Sequence, residues 1–202
     1  MSEQVPQVML HGEDLRMKAL DVIAFTRSHD QWPRQLEKRL DTSAPARLWA
    51  IGNLAVLAER KVGLFCSVRC PGDAILRAYD TAREFRDAGE TVISGFHSPV
   101  EKECLRILLR GKQPTIICLA RAMEKLRLPA AWRPALEEGR LLVLSPFEKR
   151  PRRPTTESSH QRNELVAALS DEALIIHAEP GGSVERISEL IERRSIPSRK
   201  WE

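Results

Sequence analysis

The chain has 202 residues, 42% hydrophobic and only 5% aromatic, with a net charge of +4 and a pI near 9.0. Such a length can bury one core, built mainly by aliphatic packing. No stretch approaches the roughly 18–20 uncharged apolar residues of a membrane span, and residues 1–13 lack a basic segment leading into an apolar run, so membrane and secreted classes are excluded and a cytoplasmic protein is expected.

In chain order, Glu13–His29 carries Leu15, Ala19, Leu20, Val22, Ile23 and Ala24 at the spacing of a broad helical stripe. Pro33 stands at the first position of a next helix over Arg34–Leu40. Leu48–Leu57 is a short apolar segment that Gly52 and Asn53 divide into helical pieces. Residues 1–58 therefore read as a helical N-terminal extension, and residues 59–202 as the main domain.

From Lys61 the character changes. Lys61–Cys66 (KVGLFC) is too brief for a helix and typical of a buried parallel strand. Asp73 is placed to cap a helix running to Asp87, which Gly89 closes. Thr91–Ser94 reads as a strand, Val100–Leu109 as a helix and Thr115–Leu119 (TIICL) as a third strand. Helical pieces follow around Met123 and over Trp132–Glu138, then a fourth strand at Leu141–Leu144. Ser145–Thr156 is a basic, proline-rich loop; Ser159–Leu169 is a helix, Ala173–His177 (ALIIH) a fifth strand and Ser183–Arg194 a last helix. Five alternations of strand and helix predict an α/β fold, a Rossmann-like, mostly parallel sheet with helices on both faces. Arg193, Arg194, Arg199 and Lys200 read as a solvated, frayed tail.

In open α/β sheets ligands bind beyond the carboxyl ends of the strands. The loops there carry Ser67 and Arg69; Gly95, His97 and Ser98 after the strand-terminal Ser94; Arg121; Ser145 with Lys149, Arg150, Arg152 and Arg153; and Gly181, Gly182 and Ser183. Arg162 and Asn163, on the penultimate helix, either face the same pocket or are a solvated arginine and a loop-bonding asparagine. Small residues let the backbone approach, helix N-termini offer free N–H groups and arginines add fixed charge, so these residues are expected to form a phosphate-binding pocket. His97 is ambiguous between structural and catalytic roles. Glu101 has no partner acid or nucleophile nearby in sequence, and His177 reads as packed.

Several chemistries are absent from the pattern. No G-x-G-x-x-G follows the first buried strand, where the sequence is Cys66-Ser67-Val68-Arg69-Cys70-Pro71-Gly72. No P-loop precedes Gly111-Lys112. Cys66 and Cys70 have metal-like spacing, but no further His or Cys pair completes a site, and all four cysteines (with Cys104 and Cys118) are expected to be reduced. No metal and no cofactor are expected.

The linked order of these segments resembles the DprA/Smf family of DNA-processing proteins, within the Rossmann-like set that also contains the cytokinin-activating LOG proteins. The similarity runs from Trp32 to the C-terminus. Trp32-Pro33-x-x-Leu36, Ala44-Pro45-x-x-Leu48 and Ile51-Gly52-Asn53 resemble the family's lead-in; Val62–Ser67 resembles its first strand and the start of its G-S-R loop. Val92-Ile93-Ser94-Gly95 is similar to its V-S-G strand end, Leu144-Ser145-Pro146-Phe147 to its S-E-x-P segment, Arg162-Asn163 to its R-N-R motif and Gly182-Ser183 to its S-G-S loop. Cys66 replaces the glycine of G-S-R, with Val68 at the arginine position and Arg69 one place later; Pro99-Val100-Glu101 keeps only the acid of G-I-D; and Glu164 replaces the second arginine of R-N-R. The chain is thus a divergent branch. The resemblance implies single-stranded DNA binding in a positive pocket, a homodimer, a recombinase partner and no catalysis; a C-terminal winged-helix domain is expected to be absent. The alternative is a sensor of a free nucleotide. LOG-like nucleotide hydrolysis is disfavoured, because Pro180-Gly181-Gly182 is followed by Val184 and Glu185 in place of Gly and Thr, and Ser188 stands at the catalytic glutamate position.

Overall fold

The computed structural model describes residues 21–200. Eight strands form one sheet: β1 (Ile23–Thr26), β2 (Arg47–Gly52), β3 (Lys61–Cys66), β4 (Thr91–Ser94), β5 (Thr115–Cys118), β6 (Leu141–Ser145), β7 (Glu172–His177) and β8 (Ser198–Lys200). Their order is β1-β2-β6-β5-β4-β3-β7-β8. The six strands from β6 to β8 pair in parallel, and β2 and β1 add an antiparallel edge beside β6. The α-helices among the described residues are α1 (Gln35–Leu40), α2 (Gly72–Ala88), α3 (Pro99–Leu108), α4 (Arg133–Glu137), α5 (Thr156–Leu169) and α6 (Ser183–Arg193).

Strands β3 to β7 are buried on both faces, and the interior positions of each are mostly aliphatic. Side chains alternate between two cores. Leu64, Val92, Ile117 and Val143 face a layer closed by Ala78, Ala82 and Leu108 of α2 and α3. Phe65, Ile93, Ile116 and Leu144 face a layer closed by Leu36, Leu165 and Ile187 of α1, α5 and α6. Gly63 is required where α5 ends on the sheet: a Cβ there would lie 2.2 Å from Ser170 Oγ.

The mostly parallel α/β architecture is as expected, with differences at both ends of the chain. Of the helix read over Glu13–His29, residues 13–20 lie outside the described residues, and Ile23–Thr26 is strand β1. Leu48–Leu57 is not a pair of helical pieces: Arg47–Gly52 is strand β2, and Leu54–Ala58 is a 3-10 turn in which Asn53 Oδ1 accepts the Ala55 N–H at 3.0 Å. Both strands depend on distant partners, since β2 pairs Trp49 with Ser145 and Gly52 with Leu142. Thus residues 23–58 complete the same sheet instead of forming a helical extension. The expected tail contains β8, an edge strand whose Arg199 pairs with Glu172. The segment around Met123 is a turn, with Lys125 at φ 57°. Helix α2 starts at Gly72 behind Pro71, with no side-chain cap from Asp73.

Candidate functional site

Strand order reverses between β3 and β7, so their following loops diverge to opposite faces and leave a crevice. The crevice is internally tied. The Ser67 N–H donates to His177 O at 3.0 Å, and the Glu179 N–H donates to Ser67 Oγ at 2.9 Å. The exposed Arg69 guanidinium reaches Glu179 at 3.8 Å. Gly181 takes φ +72°, and its N–H donates to Glu185 Oε2 at 2.7 Å. A Cβ at Gly182 would lie 2.8 Å from Glu179 O, so the turn must be glycine to bring α6 and Ser183 to the crevice. This pocket holds about 320 Å³.

Glu101, on the first turn of α3, joins the loops after β3 and β4. Its Oε1 accepts the Cys66 N–H at 3.1 Å, and its Oε2 accepts the His97 and Ser98 N–H groups at 2.8 and 3.1 Å. Ser98 Oγ in return accepts the Glu101 N–H at 3.1 Å, closing a capping box. The buried carboxylate therefore has a full set of backbone partners in place of water. Ser94 Oγ donates to Leu64 O at 2.7 Å and accepts the Phe96 N–H at 3.2 Å; this steers Phe96 to φ 45° with its ring inside the core. His97 is left at the surface. Partial burial, together with the like charge of Arg162 and Lys102, holds its imidazole below the usual histidine range.

Arg162 crosses beneath that loop from α5. It is 5% exposed, and its Nε donates to Asn163 Oδ1 at 2.8 Å. A Cβ at Gly95 would sit 1.7 Å from Arg162 Nη1, so the strand end is glycine because the guanidinium occupies that space. Among the described residues no carboxylate lies within ion-pair distance of it. Burial draws its pKa down, opposed by the Glu101 charge further off. The guanidinium lines a cleft of about 610 Å³ with His97, Thr155, Ser159, Asn163 and Ser183. A buried arginine without a carboxylate, opening on a cleft, is a preorganised fork for an external anion.

The remaining cations lie on the loops after β5 and β6, the second of which leads into the cleft residue Pro154. Arg121 Nη1 donates to Arg152 O at 3.5 Å, and the Ala122 N–H donates to Pro151 O at 2.8 Å, so the loops after β5 and β6 are joined. Lys149, Arg150, Arg152 and Arg153 are exposed, and none has an ion pair among the described residues. Ser145 is fully buried; its Oγ donates to Arg121 O at 2.8 Å and accepts the Phe147 N–H at 3.0 Å.

The structure thus gathers His97, Arg162, Asn163 and Ser183 at one cleft, with Ser67, Arg69, Gly181 and Gly182 in the adjoining crevice. The hydroxyls of Ser67, Ser94, Ser98 and Ser145 are engaged in holding loops, and Gly95 makes room for Arg162. Sequence reading did not single out Glu101 as a brace, nor Thr155, Ser159 and His160 as cleft residues. The signal for Ser159 was present: with Arg162 and Asn163 it falls at i, i+3, i+4 on one helical face. Among the described residues no group of three or more His, Cys, Asp or Glu side chains is placed to hold a metal ion, and no helix is long and apolar enough to cross a membrane.

The profile of a family described as DNA recombination-mediator protein A matches residues 23–192. No curated protein matches the chain. Among solved structures, DNA processing protein A (DprA) of Streptococcus pneumoniae aligns with a TM-score of 0.74 and 18% identity, over 95% of this chain and 66% of its own. DNA processing protein A of Helicobacter pylori, described for its single-stranded DNA binding mode, aligns with a TM-score of 0.71 and 22% identity, over 91% of this chain and 82% of its own. The chain therefore spans just under two thirds of the length of the S. pneumoniae protein.

Proposed function

The chain belongs to the DNA recombination-mediator protein A family, and from that premise we propose that it binds single-stranded DNA in DNA processing, without cutting or joining it. The observation that carries the reading is Arg162: a guanidinium 5% exposed, with no carboxylate partner among the described residues, opening on a cleft at the carboxyl ends of the strands. Leaving such a charge uncompensated is costly unless an anion arrives. The cleft-lining Pro154 and Thr155 follow directly in the chain on Lys149, Arg150, Arg152 and Arg153, four exposed cations without an ion pair among the described residues, and such a run suits a polymer of phosphates better than a free nucleotide. The H. pylori protein supports the choice of strand. Transfer of the strand to a recombinase extends the same proposal, on the support of the family's description as a recombination mediator; self-association and action in the cytoplasm are proposed with it.

The test is fluorescence anisotropy with a labelled oligothymidylate across a salt series, for the wild type and for Arg152→Glu with Arg153→Glu. Each phosphate contact on a single strand contributes about 0.7 to the slope of log affinity against log salt, so losing two contacts flattens it by about 1.4. An unchanged slope would place the strand elsewhere.

A further inference from the structure

The cleft at Arg162 differs in charge from the other hollows of the surface. None of its walls is an aspartate or a glutamate. The crevice at Arg69, the hollow around Trp32, the groove between α5 and α6 and the recess beside Phe147 each have at least one. The walls of the cleft are donors instead. Arg162 spends only Nε, on Asn163 Oδ1 at 2.8 Å, and both of its terminal amino groups are without a partner among the described residues. Because Asn163 gives its oxygen to that N–H, its Nδ2 is left free to donate elsewhere. The two residues are only 5% and 9% exposed, yet none of these nitrogens is sealed from solvent. The hydroxyls of Ser159 and Ser183 and the imidazoles of His97 and His160 line the same cleft, whereas the Thr155 hydroxyl is spent on Ser158.

We propose that this cleft takes the terminal phosphate monoester of a DNA strand, with the exposed cations of the loop after β6 taking the phosphodiesters that follow; the inference deepens the strand-binding reading and rests on it. An internal phosphodiester carries a single negative charge, keeps two unesterified oxygens and is flanked by a sugar on each side. A terminal monoester keeps three unesterified oxygens, carries about −1.5 to −2 charges at neutral pH and has a sugar on one side only. Arg162 lies beneath the loop after β4, in the space that Gly95 leaves, so an anion meets it from the cleft alone. A strand end enters such a site freely, whereas a mid-strand phosphate must bring two sugars with it. The planar fork takes two oxygens of the monoester and leaves the third for the Asn163 amide and the serine hydroxyls. With no carboxylate in the walls, nothing there repels the second charge. A mid-strand phosphate also reaches the fork, but with fewer oxygens it leaves donors unspent.

The exposed cations differ in kind. Lys149, Arg150, Arg152 and Arg153 are open to solvent and stand in the chain directly before the cleft residues Pro154 and Thr155. Solvated side chains of this sort follow a charged backbone without telling its end from its middle. Discrimination therefore belongs to the buried fork, and affinity along the strand to the loop.

The experiment titrates the full chain, at neutral pH and fixed low salt, against three oligothymidylates of one length labelled at an internal base, which carry a 5′-phosphate, a 3′-phosphate or neither. At least one phosphorylated strand is expected to bind about tenfold more tightly than the bare one, as for one further charge-assisted hydrogen bond, and the end that gains sets the polarity. Arg162→Gln is expected to bind all three alike; should it fail to fold, Gly95→Ala, which displaces the guanidinium without removing it, takes its place. Arg152→Glu with Arg153→Glu is expected to weaken all three and keep their ratio. Thymidine monophosphate, the same group without a strand, is expected to compete only far above the oligonucleotide concentration. Three strands within about twofold of one another overturn the end reading and leave strand binding standing. A preference that survives the loss or displacement of Arg162 also overturns it, by placing the end outside this cleft. Competition by thymidine monophosphate at the oligonucleotide's own concentration gives the cleft to free nucleotides and overturns the strand end. If no strand binds at all, the strand-binding reading itself fails.

Discussion

Replacing Gly95 by alanine should uncouple binding from stability. The new methyl carbon would lie 1.7 Å from Arg162 Nη1, 2.1 Å from Cζ and 2.6 Å from Nε, so the guanidinium must leave its seat. The crowding atoms are the far end of a flexible side chain, not backbone, and the cleft beside them offers somewhere to go. The fold should therefore lose little, within the ~1–3 kcal/mol usual for overpacking. The anion fork is lost. Charge-assisted hydrogen bonds contribute about 1.5–3 kcal/mol, which converts to a Kd raised by about 10- to 150-fold. Anisotropy with oligothymidylate measures the second quantity and urea denaturation the first. A folded Gly95→Ala protein that binds within about twofold of wild type, well inside 1.4 kcal/mol, would refute the assignment of Arg162.

Glu101→Gln replaces an acceptor of three backbone N–H groups by an amide that turns one donor toward them; loss of charge-assisted bonds should lower unfolding free energy by about 1.5–3 kcal/mol in urea titration. His97 has its pKa lowered in the folded protein, so the unfolded chain binds more protons as pH falls below the ordinary histidine value. Its contribution to stability is accordingly constant above that value and declines below it. A phosphate beside His97 offsets the Arg162 and Lys102 charges, so DNA affinity should rise over the same interval, and His97→Gln should flatten that rise in a pH series of titrations. Gly63→Ala drives a methyl to 2.2 Å from Ser170 Oγ and should cost about 1–3 kcal/mol in chemical denaturation, without altering the salt slope of DNA binding.

The central sheet was legible because buried parallel strands leave a local mark: KVGLFC, TIICL, LLVL and ALIIH are short aliphatic runs between turn residues, and alternation with helices implies parallel pairing. Loop chemistry was equally local, down to the serine before Pro99 and the glycines before α6. The edge strands were not legible. Leu48–Ile51 is a continuous apolar run that periodicity alone does not tell from a buried helical piece, and what makes it a strand is β6, some ninety positions later, whose unpaired backbone groups it satisfies. The same holds for Ser198–Lys200 against β7.

The site divides along the same line. The sequence alone determined which residue types crowd the carboxyl ends of the strands, because turn and cap preferences act over a few neighbours. Only the tertiary structure decided their roles: that Ser94 and Ser145 turn their hydroxyls inward to hold loops, that Glu101 braces two loops from outside both, and that Arg162 lies where Gly95 leaves room. Those roles depend on which distant groups come within hydrogen-bond reach, and long-range packing sets that distance.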